Sequence, residues 1–294
     1  MILDLWAKWV AFTARPTDSR PLRWVQILVA VCVIGDLVAM MVRGAYPAIL
    51  FPRHLGGISE ATSPMFAGTW GANNGPILWV LMVASLACVA LGIAKRPAQL
   101  VALISYAQFG HMYTPGDRGI DRILRTVMLI LLFSAVNKKD VPAQVAAWPS
   151  DLIRWFLMII YMAAGVAKLG TASGWLVPQE YPELYQIMAA PNIGRFDPVW
   201  MADFPWVFTA GGWFTFALEG SAFLLLTRFA PYWAVLGVVM HFGIGVSMEL
   251  GMFPFGMLAL YPVLFAPWIA RWAPTDTPPQ DGPLPGDSTP FRPE

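Results

Sequence analysis

Charge is what this sequence has least of. Only 13% of its 294 residues are Asp, Glu, Lys or Arg, where a soluble domain carries about 25%. A surface facing water cannot be built from so few charges, so lipid has to cover much of it. The 57% hydrophobic content and mean hydropathy of +0.57 carry the same message. A net charge of +1 excludes a nucleic-acid partner, which needs a basic face. The two cysteines, Cys32 and Cys88, lie inside apolar runs and read as small buried hydrophobes rather than a disulfide or metal pair. Also missing are a Gly-rich phosphate loop, a Cys–His metal spacing and a nucleophile elbow. No metal is expected. The lack of an inverted repeat or of matched broken helices speaks against a transporter.

What the chain does have is apolar runs. A spanning helix needs about 20 mostly apolar residues, or about 17 when flanking side chains snorkel. Such runs occur at 24–42, 76–94, 98–113, 121–136, 152–169, 206–227, 232–249 and 252–268. The expectation is an all-α polytopic transmembrane bundle of about eight spanning helices. Three regions follow: an N-terminal interfacial amphipathic segment (1–23), the bundle (24–272) and a disordered Pro-rich tail (273–294). Met1–Phe12 mixes Asp4 and Lys8 with Trp6 and Trp9, which suits an interfacial helix better than a cleavable signal peptide.

Lys8, Arg15, Arg20, Arg23, Lys95, Arg96, Lys138 and Lys139 fall on one side of the inferred topology. Fewer cations, among them Arg43, Arg118, Arg122 and Arg195, fall on the other. That asymmetry places both termini in the cytoplasm of a bacterial inner (plasma) membrane. The long connections 43–75 and 170–205 are then outer loops. They are rich in Trp70, Trp175, Tyr181, Tyr185 and Trp200, and are expected to fold over the bundle.

An ionisable group at membrane depth needs an explanation, because leaving it unpaired there costs several kcal/mol. The group comprises Asp36, His111, Arg125, Arg154, Lys168, Glu219, His241 and Glu249. Lys168 sits near the outer end of its run, on one helical stripe with Tyr161 and Arg154. Position alone favours a snorkelling lysine. The sharper reading is a partly desolvated amine able to act as a base. Gly237 and Gly245 flank His241 four residues to either side; they serve close helix packing, or make room for a ring-shaped ligand. His111 ends its run at the outer side, where interfacial exposure explains it. Asp121 and Arg125 are spaced to pair on a helix. Asp36 and Glu219 either pair with Arg154 or are protonated. His111, Lys168 and Glu249 gather in the outer half beneath aromatic loops, with His241 below, a usual setting for a site.

YMAAGVAKLGTASGW, followed by an outer loop and then MHFGIGVSMELGMFPFGML, resembles the vitamin K-dependent gamma-carboxylase family and, more broadly, the HTTM membrane domain. The matching positions are Tyr161, Ala164, Gly165, Val166, Lys168, Leu169 and Trp175, then His241, Gly251, Met252 and Phe253. The 98–136 region is a looser match. In that family a membrane-embedded lysine deprotonates a reduced naphthoquinone. The resemblance implies Lys168 and His241 as catalytic residues, His111 as a weaker match in the same pocket, and a reduced quinone as co-substrate; His111, Tyr161, Trp175 and, from the outer cluster of polar groups, Glu249 are expected to bind the substrate. The paired lysines of the family motif are here Ala167 and Lys168, and no large soluble domain follows the last run. Quinol oxidation or epoxidation is therefore expected rather than protein carboxylation. The competing expectation is a non-catalytic membrane subunit that binds a quinone, lipid or pigment and packs against a partner complex. A haem held by His111 and His241 ranks below both.

Overall fold

Proline and glycine punctuate the helices. The computed structural model describes residues 2–52, 54, 56–57, 73–112, 117–137, 143–170, 175–176 and 180–272. An amphipathic helix, α1 (Ile2–Ala14), precedes a short strand β1 (Pro16–Asp18) and the helix α2 (Arg20–Val42). Then come α3 (Tyr46–Leu50), α4 (Gly75–Leu91), α5 (Lys95–Met112) and α6 (Gly119–Phe133). Strand β2 (Gln144–Ala146) leads into α7 (Trp148–Gly170). Next come α8 (Glu183–Ala189), α9 (Pro205–Gly220), a 3-10 turn Ala222–Leu226 and α10 (Ala230–Ser247). The chain closes with α11 (Phe253–Leu258), a 3-10 turn Tyr261–Val263 and α12 (Ala266–Trp272). Pro21, Pro76, Pro205 and Pro231 sit in first turns, where the missing N–H costs nothing and the fixed φ suits a helix. Gly92 ends α4 in the left-handed region at φ 82°, the usual glycine stop.

Among the described residues the protein is all-helical apart from one antiparallel pair of short strands, β1 and β2, with Thr17 opposite Val145. Three of the described helices are long and apolar enough to cross a bilayer: α2, α7 and α10. At a 1.5 Å rise, the 23 residues of α2 reach about 34 Å, enough for a hydrocarbon core of about 30 Å. Leu22, Val25, Val29, Val33 and Leu37 form its fully buried stripe, spaced three or four residues apart as helix packing requires. Its other face is equally apolar but exposed, with Trp24, Val31, Val38 and Val42. A helix apolar all round with half its surface open belongs in lipid.

Among the described residues, length and composition alone single out three of the eight spans counted from the sequence. Helix α4 and the 253–263 segment are apolar but shorter. The run expected as a last span, 252–268, is broken into three pieces. Pro254, Pro262 and Pro267 remove the N–H groups a continuous helix would need. Leu260, Tyr261, Val263 and Leu264 are nonetheless almost wholly buried. Irregular backbone at membrane depth is tolerated where protein, not lipid, surrounds it. The Arg154 guanidinium, projecting from α7, donates to the Val263 carbonyl at 2.7 and 3.1 Å, capping a group the break has freed.

The contacts sort into two ends. At one, β1 pairs with β2, Arg15 meets Asp151 at 2.8 Å, and Arg23 donates to the carbonyls of Val89 and Ala90. At the other, Arg43 and Arg195 meet Glu249 and Arg118 meets Asp36. At this second end the 180–204 stretch packs on α9 and α10: Met188, Phe208 and Met248 form a small core of their own, and Gly194 bridges Met248. A Cβ on Gly194 would lie 1.8 Å from the Met188 carbonyl oxygen, so no other residue fits there. The tail 273–294 and Trp70 lie outside the described residues.

Candidate functional site

Lys168 lies near the C-terminal end of α7, where its side chain is 15% exposed. Its ammonium donates to both oxygens of Glu219 on α9, at 2.9 and 2.7 Å. The carboxylate is 8% exposed. Helices α7 and α9 approach closely because Gly165, one turn before Lys168, faces Gly220 and Glu219: a Cβ there would sit 3.2 Å from the Gly220 nitrogen. The Trp175 ring covers the amine at 4.8 Å, a cation–π distance. Trp175 can come so near because a Cβ on Gly212 would meet its carbonyl oxygen at 2.7 Å. The pair is therefore largely buried, lies beneath an indole ring and joins α7 to α9.

Two turns down α7, about 10 Å along its axis, Tyr161 begins a second polar group. Its hydroxyl lies 2.6 Å from His241 Nε2 and 2.7 Å from the Tyr261 hydroxyl. All three side chains are buried. Trp233 stands edge-on to Tyr161 with centroids 4.8 Å apart, and its indole N–H donates to the Leu218 carbonyl at 3.0 Å. His241 Nδ1 is buried and has no hydrogen-bond partner among the described residues. Whichever tautomer the imidazole adopts, that nitrogen is an unmatched donor or acceptor.

The space left by Gly237 is taken. A Cβ there would lie 2.4 Å from the Tyr261 hydroxyl, so the ring that the glycine admits is the protein's own phenol. Gly245 only makes ordinary contact with Pro254. Glu219 pairs with Lys168 and not with Arg154, which is occupied by the Val263 carbonyl. Asp36 pairs with Arg118. The expected Asp121–Arg125 pair does not form: Asp121 accepts from Arg118 at 3.0 Å and from the Tyr106 hydroxyl at 2.6 Å, whereas Arg125 reaches Asp117 at 2.6 Å. Asp121 points back to cap its own helix start, accepting from the Arg118 backbone N–H, and this turns it away from Arg125.

Of the six site residues picked from the sequence, four converge on one face of α7: Lys168 with Trp175, and Tyr161 with His241. Glu249 lies apart, beyond the end of α10, between Arg43 at 2.7 Å and Arg195 at 3.2 Å. The bond from Arg43 holds its carboxyl below the usual range. His111 ends α5 exposed, on a helix that packs mainly on α4 and α6 and not on the elements bearing Lys168 and His241. Sequence reasoning missed Tyr261 and Trp233, and it left Glu219 without its partner. Gly237 was the available signal for Tyr261, but nothing in sequence tells which ring a glycine faces. Among the described residues no group of three or more His, Cys, Asp or Glu could hold a metal.

The family model of the HTTM domain matches residues 129–268. This likeness to the HTTM domain covers just under half of the chain. Lys168, Glu219, Tyr161, His241, Tyr261 and Trp233 all fall inside it, as do the three pieces of the broken C-terminal segment up to residue 268. Helices α1 to α5, and Asp36, Arg43 and Arg118 with them, lie outside. No curated protein and no solved structure matches the chain.

Proposed function

We propose that this HTTM protein is a membrane enzyme acting on a lipid-soluble quinol, with Lys168 and Glu219 handling the proton together. The observation that carries this reading is the buried Lys168–Glu219 pair under the Trp175 ring. A buried ion pair is a poor stabiliser compared with apolar side chains of the same volume, so its presence asks for a use. A quinol hydroxyl entering beside Trp175 breaks its O–H bond, and the proton passes to the Glu219 carboxylate. The electron pair stays on the quinol oxygen, where the Lys168 ammonium stabilises it. Lys168, the base implied by the family resemblance, thus becomes one half of a base–electrophile pair. The activated quinol is then oxidised or epoxidised by dioxygen, the co-reactant that the family likeness implies, which accepts the electrons and supplies the epoxide oxygen. Tyr161, His241 and Tyr261 form the proton path below, and the unmatched His241 Nδ1 is a polar atom there still open to a partner. Helices α4, α5, α6 and α9 complete a multi-pass bundle in a bacterial inner membrane, with both termini cytoplasmic.

A second reading has its own support. Both Glu219 oxygens are engaged by Lys168, and the Gly237 slot is filled, as in a scaffold that packs against a partner complex. Substitution separates the two. In nanodiscs, Lys168→Met with Glu219→Leu keeps the volume and removes both charges. The enzyme reading expects this double variant to stay folded, lose a bound quinone in native mass spectra and lose turnover of a reduced naphthoquinone. A folded double variant that keeps its activity would sink that reading; wild-type protein with a stoichiometric partner and no quinone would favour the scaffold. Lys168→Ala alone leaves a buried carboxylate unpaired, and is expected to cost about 3–5 kcal/mol of stability.

A further inference from the structure

At the end of the bundle opposite the β1–β2 pair, the structure holds a cleft that the site above does not use. Its volume is about 470 Å³, and an adjoining cleft of about 510 Å³ shares Arg43, Arg118, Glu249 and Gly251 with it. Ligand pockets are usually of this size. Three guanidinium groups, from Arg43, Arg118 and Arg195, line the first cleft against two carboxylates, Asp36 and Glu249.

The three cations are held differently. Arg118 is fixed by Asp36 and Asp121, and Gly251 makes room for it. Gly251 has φ 58°, and a Cβ there would lie 2.9 Å from Arg118 Nη1. Arg43 and Arg195 share the single carboxylate of Glu249, and Arg195 Nε also donates to the Met248 carbonyl at 3.0 Å. Each guanidinium has five N–H donors in a planar fork suited to phosphate and carboxylate oxygens, so one carboxylate leaves most of that capacity unused. The remaining wall is apolar, from Met40 on α2 to Met252 and Phe255. Phe255 is half exposed, and α2 beside it turns Val38, Met41 and Val42 outward. The cleft thus joins a cationic rim to a surface suited to acyl chains, at the level where α2 and α10 end.

We propose that this cleft binds the headgroup of a phosphate-bearing anionic lipid, Arg43 and Arg195 taking the phosphate while the chain leaves along Phe255. The site spans the boundary of the HTTM domain: Arg195 and Glu249 lie within the matched residues, Arg43 and Arg118 before them. It is independent of the Lys168 chemistry.

Binding to the purified full chain in detergent tests this with dioctanoyl phosphatidic acid, dioctanoyl phosphatidylcholine and inorganic phosphate as probes. Phosphatidic acid is expected to bind saturably and at least tenfold more tightly than phosphatidylcholine. The Arg43→Gln/Arg195→Gln variant, chosen because both side chains are partly exposed and leave Arg118 in place, should weaken it at least tenfold with an unchanged melting temperature. Glu249→Gln, which frees both guanidinium groups while keeping the volume, should tighten it several-fold. Equal binding of the two lipids, or full binding by the double variant, overturns the proposal. Weaker binding by Glu249→Gln would make the cluster a closed structural clasp, also overturning it. Competition by inorganic phosphate as strong as by the lipid would make the occupant a free oxyanion and refute the lipid.

Discussion

Tyr161 satisfies two buried partners with one hydroxyl, and its removal is felt twice. Tyr161→Phe leaves both His241 Nε2 and the Tyr261 hydroxyl without that bond, and each orphaned buried group costs about 1–3 kcal/mol. Thermal unfolding in detergent should show a loss of about 2–4 kcal/mol, whereas Tyr261→Phe, which ends the chain instead of cutting it, should cost less. Types and depths of these residues were legible in sequence: Lys168, Tyr161 and His241 were picked out because polar groups in apolar runs are conspicuous. Partnerships were not. On pattern alone Glu219 and Asp36 were offered only Arg154 or protonation, and the actual partners, Lys168 and Arg118, depend on helix rotation, which a single sequence does not encode in any local signal.

Helices α7, α9 and α10 meet through glycines, each serving a particular neighbour. Gly165 admits α9, Gly212 admits Trp175 and Gly237 admits Tyr261. Gly237→Ala should therefore destabilise by about 1–3 kcal/mol through displacement of the Tyr261 ring, although alanine is the better helix former. Tyr261→Phe in the same chain should return part of the loss by removing the atom that clashes; strictly additive effects would show that the two positions are not in contact. Element existence was readable from apolar runs because spans have a minimum length. Continuity was not: 252–268 has the composition of a span, but its prolines break it, and only the buried surroundings make that break tolerable.

The molecule divides its charged contacts between two ends, with apolar surface between. If those ends lie on opposite sides of a membrane, single cysteines placed in a Cys32→Ala/Cys88→Ala background should react from opposite sides. Gln144→Cys, beside β1, and Val199→Cys, in the α8–α9 connection, are exposed positions for this. An impermeant maleimide added to intact cells should label Val199→Cys and spare Gln144→Cys; labelling of both would refute the topology, and the reverse pattern its orientation. The broken segment 253–272 has a consequence for how such a chain is made. None of its pieces is long enough to partition into lipid alone, and its free carbonyls find partners only inside the finished bundle, at Arg154 among others. Such a segment is admitted by protein and not by lipid: it can settle only where α2, α7 and α10 have already packed to receive it.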